Sequence, residues 1–337
     1  MKQLITNIPL HLGSFGLRRA PWLSVVFFAG ISLVLAGRTL YTAPDDENYI
    51  ARFEGTNFTF LGGWWSYVLE EPLWASYAPI MGGIFGSEPA MRITIFFSAF
   101  IFLIGSGKLT RGAWMFVLLV FILDDVFATQ MYYNQIRQGF ALSIFFGMVA
   151  LGLSPFLGAV MASAIHTSFL FVIPCAIAAH IVKRSNIRLI AVLLTAIASV
   201  YYINTLIDTI DFGRRNYELT GKLNIFFYVL ITLKYGSIFA ILKYKFPDEQ
   251  EDFWFRFSLI FTILALCLTL IHEAMGRLMY LADALVTILI GLHLKRNRTK
   301  IGALVWMLFL LAISINEGRR SGFGPDSWFG RWVLILT

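Results

Sequence analysis

The chain has 337 residues, of which 58% are hydrophobic and only 14% charged, and its mean hydropathy is +0.72. A solvated globular surface needs about 25% charged residues, so soluble, disordered and collagen-like classes are excluded; long apolar runs without polar alternation also exclude an outer-membrane β-barrel. The formal net charge of +7 then reads as the basic ends of membrane helices rather than a nucleic-acid footprint.

The expected fold class is all-α: one polytopic membrane domain over 1–337, with about 10–11 transmembrane helices at roughly 20 residues per crossing. Residues 1–21 form an interfacial, cytoplasmic N-terminus closed by Arg18 and Arg19, with no cleavable leader. The apolar runs predict helices over 22–40, 73–86, 90–106, 113–128, 138–154, 156–180, 189–206, 223–242, 254–272, 277–294 and 301–316. The segment 73–86 is short and contains Pro79, Gly82 and Gly83, so it reads as re-entrant or broken, a form tolerated only where it lines protein or water.

Basic clusters at Arg18–Arg19, Lys183–Arg184, Lys243–Lys245 and Lys295–Lys300 mark cytoplasmic ends, which puts the loops 41–72 and 207–222 on the periplasmic side. Between 73 and 182 the charge rule is tied. A crossing 73–86 places Arg137 inside. A re-entrant 73–86 places it outside, provided a second segment within 138–180 is also broken.

The polar residues in this apolar chain fall into a few groups. The first outer loop holds Asp45, Asp46 and Tyr49 and closes with Glu71–Pro72; such acidic clusters suit a divalent cation or a general base on a sugar hydroxyl. Arg137, followed by Gln138 at the opening of an apolar helix, suits an oxygen-rich anion such as a diphosphate; the competing reading is a snorkelling interfacial arginine or a structural pair with Asp124 or Asp125. His166-Thr167-Ser168 interrupts the run 156–180, where an ionisable group is expensive and faces a polar interior. Asp283 belongs to the same class. Arg214 and Arg215 occupy the second outer loop, and Arg277 and Tyr280 open a late span. The two cysteines, Cys175 and Cys267, sit in apolar runs and read as buried hydrophobes. Phosphate-binding loops, dinucleotide fingerprints and zinc-protease motifs are absent from the sequence.

The order of these groups (Asp45-Asp46 and Tyr49, Glu71-Pro72, Ile136-Arg137-Gln138-Gly139-Phe140-Ala141, His166-Thr167-Ser168, then Arg277-Leu278-Met279-Tyr280) resembles the EpsG-like branch of the Wzy-type polysaccharide polymerases, from about residue 20 to 295. The resemblance implies a bacterial inner-membrane glycosyltransferase of the lipid-linked (GT-C-like) architecture, acting at the periplasmic face on O-antigen, capsule or exopolysaccharide. Its substrate would be an undecaprenyl-diphosphate-linked oligosaccharide, with a chain-length regulator as protein partner. No cofactor follows from it, and a divalent cation is permitted rather than required.

The implied catalytic residues are Arg137, His166, Asp45, Asp46 and Glu71. Gln138, Tyr49, Ser168, Arg214, Arg215, Arg277 and Tyr280 would bind substrate. Two other classes share these features: a flippase for a lipid-linked sugar, and an O-antigen ligase or membrane acyltransferase.

Overall fold

The computed structural model describes residues 22–56, 71–124, 126–182, 225–242, 249–271, 277–294, 304, 306–308, 312 and 328–336. Every element among them is helical. The chain divides into two compact units, 1–173 with 307–337, and 174–306.

In the first unit, α1 (Trp22–Gly37) leads into a short α2 (Asp46–Phe53), then α3 (Pro72–Phe85) and the long α4 (Ser87–Leu109). At 1.5 Å per residue, the 23 residues of α4 reach about 34 Å, enough to cross the roughly 30 Å hydrocarbon layer. The chain returns through α5 (Trp114–Leu123), a kink at Asp124 and a π-helix over Val126–Asn134. Next come α6 (Ile136–Ala150), α7 (Pro155–Ser163) and a 3₁₀ turn over Thr167–Phe171, after which α8 (Val172–Ile181) passes into the second unit. Many large apolar side chains point outward, among them Trp22, Leu33, Ile84 and Met115, each more than 60% exposed. Together with the apolar helices, that exterior is the one an integral membrane protein presents to lipid.

The centre of this unit is the pair α4 and α6, which run side by side in the same direction. Ser143 Oγ donates to the Ser98 carbonyl at 2.6 Å, Phe102 meets Phe146 with ring centroids 5.6 Å apart, and a Cβ on Gly105 would lie 3.1 Å from the Phe146 backbone. Small residues and hydroxyls at the seam let the two backbones approach, which is how helices associate where no hydrophobic force separates them from lipid.

Two breaks interrupt the expected apolar runs. The 14 residues of α3 reach only about 21 Å, less than the roughly 30 Å hydrocarbon layer. Gly86 joins α3 directly to the start of α4, while Glu71 at its other end bonds Arg137, in the first turn of α6. The second break falls at 164–166, between α7 and the 3₁₀ turn, where the Leu73 N–H donates to the Ala164 carbonyl at 2.9 Å. The expected run 156–180 is thus broken, and α3 is short. Arg137 shares its side with the 41–56 segment, and Lys108 and Arg111 stand at the far end of α4.

That side is tied together by two arginines, Arg38 buried and Arg92 half-buried. Arg38, just past α1, grips Asp46 with both terminal nitrogens at 2.7 and 2.5 Å and donates to the Tyr133 carbonyl at 3.1 Å. Arg92 of α4 donates to the Ala36 and Arg38 carbonyls, satisfying acceptors that the end of α1 leaves open. Gly82 is needed in α3 because a Cβ there would stand 1.8 Å from the Phe53 carbonyl oxygen at the end of α2.

The second unit contains α9 (Ile225–Leu242), α10 (Glu249–Ile271) and α11 (Arg277–His293). From Leu278 to His293, α11 is buried except at Tyr280, the mark of an interior helix. Lys234 of α9 pairs with Asp283 of α11 at 2.6 Å, and Tyr235 donates to the same carboxylate at 2.8 Å. The lysine also lies 4.3 Å from the Trp306 ring centroid. Asp283, expected to be a charge facing a polar interior, has an interior partner of its own.

Candidate functional site

The first unit gathers Tyr49, Glu71, Arg137, His166 and Ser168 at one place. Each arrives by a separate local device. Tyr49 lies mid-way along α2, whose first residue is held by Arg38. Glu71 precedes α3 with φ 62° and ψ 69°, a left-handed conformation that costs a residue with a side chain about 1–3 kcal/mol. Pro72, next along, has no N–H to lose and fits the first position of the helix.

Arg137 sits in the first turn of α6. The π-helix delivers it: the Gln135 N–H reaches back five residues to the Gln130 carbonyl at 2.7 Å, and the extra residue per turn reorients the backbone before α6 begins. Gly139 lets that π-helix lie close, since a Cβ there would be 2.5 Å from the Met131 carbonyl oxygen.

Glu71 is the hub, only 3% exposed. One carboxylate oxygen accepts from Arg137 and the other accepts the Thr167 N–H at 3.1 Å. Burial alone pushes this carboxyl up. The Arg137 guanidinium, followed by His166, the Thr167 amide and Arg52, outweighs burial and holds the group below its ordinary value of 4.5. Arg137 also lies over the Tyr49 ring, 5.9 Å from its centroid. Burial raises the Tyr49 phenol, with Arg137 opposing and Asp45 adding, so the hydroxyl keeps its proton. The Nε of Arg137 is buried without an acceptor.

His166 caps the 3₁₀ turn: the Ser168 N–H donates to Nδ1 at 3.2 Å, and the Ser168 hydroxyl lies 2.7 Å from the same nitrogen. A backbone amide can only donate, so Nδ1 accepts and the neutral ring carries its hydrogen on Nε2.

The remaining candidates are placed differently. Asp46 is fully buried, with one oxygen accepting from Arg38 and the other from both Arg38 and the Ala43 N–H. Asp45 caps α2 without a side-chain bond to it and is half-buried. Gln138 is fully buried within α6. Arg277 is exposed at the start of α11 and Tyr280 is half-buried one turn on, both in the second unit. Arg214, Arg215 and Asp125 lie outside the described residues. Asp124, expected as a possible partner of Arg137, closes α5 at the kink.

Sequence reasoning missed the contributions of Arg38, Arg52, Lys234 and the Thr167 amide. The signal for Arg38 was present: an arginine ending the first apolar run, eight residues before Asp46. No local signal pointed to the Thr167 N–H, because that donor is exposed only by the break in the chain. Among the described residues no three His, Cys, Asp or Glu side chains form a cluster suited to a metal ion.

The EpsG family model matches residues 22–320, most of the chain. No curated protein and no solved structure matches it.

Proposed function

We propose that this chain, which belongs to the EpsG family of Wzy-like polymerases, transfers a growing glycan from undecaprenyl diphosphate to a carrier-linked repeat unit at the periplasmic face of the bacterial inner membrane. The observation that carries the reading is Arg137: a guanidinium at a helix start, on the same side as the first loop, with Nε buried and unaccepted. An oxygen-rich diphosphate is the partner that a guanidinium holds best. As the anomeric carbon–oxygen bond breaks, charge grows on the leaving phosphate, and a guanidinium fixed in an apolar surround stabilises it more than water does. The leaving group is already ionised, so it needs no proton.

In this reading the lipid-linked, GT-C-like scaffold supplies position and electrostatics. Tyr49, Ser168 and His166 offer hydroxyl and N–H donors to sugar or phosphate oxygens, and Asp45 stands half-buried close by. Arg214, Arg215, Arg277, Tyr280 and Gln138 remain candidates for substrate binding. The energy comes from the anomeric phosphate bond, so the proposal includes no nucleotide or other cofactor and no required cation. A chain-length regulator is the protein partner it anticipates.

The test is to incubate the purified protein with synthetic diphosphate-linked repeat units, with and without a chelator, and to resolve the products. A ladder of polymers is expected, lost in Arg137→Ala and strongly reduced in Arg137→Lys, because an ammonium lacks the planar fork. Full-length polymer from a folded Arg137→Ala protein overturns the proposal. Movement of intact donor across a vesicle without polymer points instead to transport.

A further inference from the structure

The Glu71–Arg137 pair raises a difficulty for that reading, since the guanidinium meant for the diphosphate already holds a carboxylate. We infer that Glu71 occupies the diphosphate's place at Arg137 in the resting protein, and that the arriving diphosphate displaces the carboxylate, which then accepts the proton of the acceptor hydroxyl. The inference rests on the proposed polymerase reading and adds to it the identity of the base and the event that arms it.

Three observations lead there. First, the carboxylate and a phosphate oxygen make the same demand on a guanidinium, and Glu71 meets it incompletely: it accepts through one oxygen from Arg137 while Nε stays buried without an acceptor. A diphosphate, with more oxygens and more charge, is the better partner. Second, Glu71 is held for this contact at some cost, with φ 62° in a region that disfavours side chains.

Third, the other groups proposed as base are committed elsewhere. His166 Nδ1 accepts the Ser168 amide, which leaves the neutral ring a donor. Both oxygens of Asp46 are engaged, by Arg38 and the Ala43 amide. Asp45 stands at the cap of α2, and no hydrogen bond or ion pair joins it to Arg137 among the described residues.

Displacement changes what Glu71 can do. Beside Arg137 its charge is compensated and it is a weak base. Moved off, it loses the guanidinium that does most to hold it ionised, and a carboxylate with less compensation is a better base. The acceptor is therefore activated only when donor is present.

The step balances. The acceptor oxygen forms the new bond to the anomeric carbon as its proton passes to Glu71. The anomeric carbon–oxygen bond to phosphate breaks, and its electron pair leaves with the diphosphate held by Arg137. When the diphosphate departs, Glu71 gives its proton to water and re-forms the pair.

The test uses inorganic pyrophosphate and a short prenyl diphosphate as probes, titrated calorimetrically into the full chain in lipid nanodiscs. Glu71→Gln, isosteric but uncharged, is expected to bind both at least 10-fold tighter than the wild type, because the competing charge is gone. Its polymerisation rate is expected to fall about 10²- to 10⁴-fold, the usual contribution of a positioned base. Should Glu71→Gln not fold, Glu71→Asp, whose carboxylate reaches one methylene less far, is expected to shift both readouts in the same directions. Unchanged or weaker pyrophosphate binding overturns the inference and makes the pair structural. Retained turnover also overturns it. Arg137→Ala separates the two levels: if that variant binds pyrophosphate as the wild type does, the polymerase reading falls with the inference. If it loses pyrophosphate while Glu71→Gln gains nothing, the inference alone fails.

Discussion

Replacing Asp46 with Ala removes the counter-charge of an arginine that is itself 0% exposed. Arg38 would keep the Thr39 and Tyr133 carbonyls at 3.2 and 3.1 Å and the Tyr133 ring at 4.6 Å, none of which carries a full negative charge. Breaking a buried pair from one side costs about 3–5 kcal/mol, so the ratio of folded to unfolded protein should fall about a hundredfold to several thousandfold, at tenfold per 1.4 kcal/mol.

The double variant Arg38→Met/Asp46→Leu removes both charges and fills the volume, and should recover at least half of that loss. Unfolding by increasing mole fraction of sodium dodecyl sulfate in mixed micelles, followed by circular dichroism, measures both. Polymer formation in the same preparations then separates structure from chemistry. Asp46 acting only through α2 and Tyr49 predicts that activity returns with folding in the double variant. A double variant that folds yet stays inactive would refute the reasoning and return Asp46 to the catalytic group. An Asp46→Ala protein as stable as the wild type would refute it earlier.

Other expectations follow from single contacts. Gly82→Ala should destabilise the first unit severely in the same unfolding assay, since the new Cβ meets the Phe53 carbonyl at 1.8 Å and neither backbone can yield cheaply. In the second unit, Lys234→Met should cost about 3–5 kcal/mol by stranding Asp283, and Lys234→Met/Asp283→Leu should cost much less. The pH dependence of Glu71 has a definite sign. Its carboxyl is held below 4.5 in the folded chain, so the stabilisation from its contacts is present above that value and is lost as pH falls through the lower, folded one. Acid unfolding profiles should show this loss below about pH 4.5, and Glu71→Gln should flatten that part of the curve.

The hydrophobic runs alone determined that this chain is a helical membrane protein, because burying a polar backbone in lipid leaves few alternatives to the helix. They also located the polar groups worth examining: Arg137 and His166 are conspicuous in the sequence since charge and imidazole are costly among apolar neighbours. The side of the membrane on which Arg137 stands was not legible, since the basic residues of 73–182 balance. What the tertiary structure decided is that Arg137 shares an end of the first unit with the 41–56 segment, through contacts between distant residues such as Arg137 with Tyr49 and Arg38 with Tyr133.

Partnership was equally hidden. Glu71 and Arg137 are 66 residues apart and Arg38 and Tyr133 are 95 apart. No periodicity encodes such pairs, because helix geometry relates only neighbours three and four residues along the chain. Asp46 and Glu71 look alike as acidic residues of one loop, yet one is locked to Arg38 and the other is set against Arg137. That difference arises only when α2, α3 and α6 pack together and each charge takes the partner within its reach.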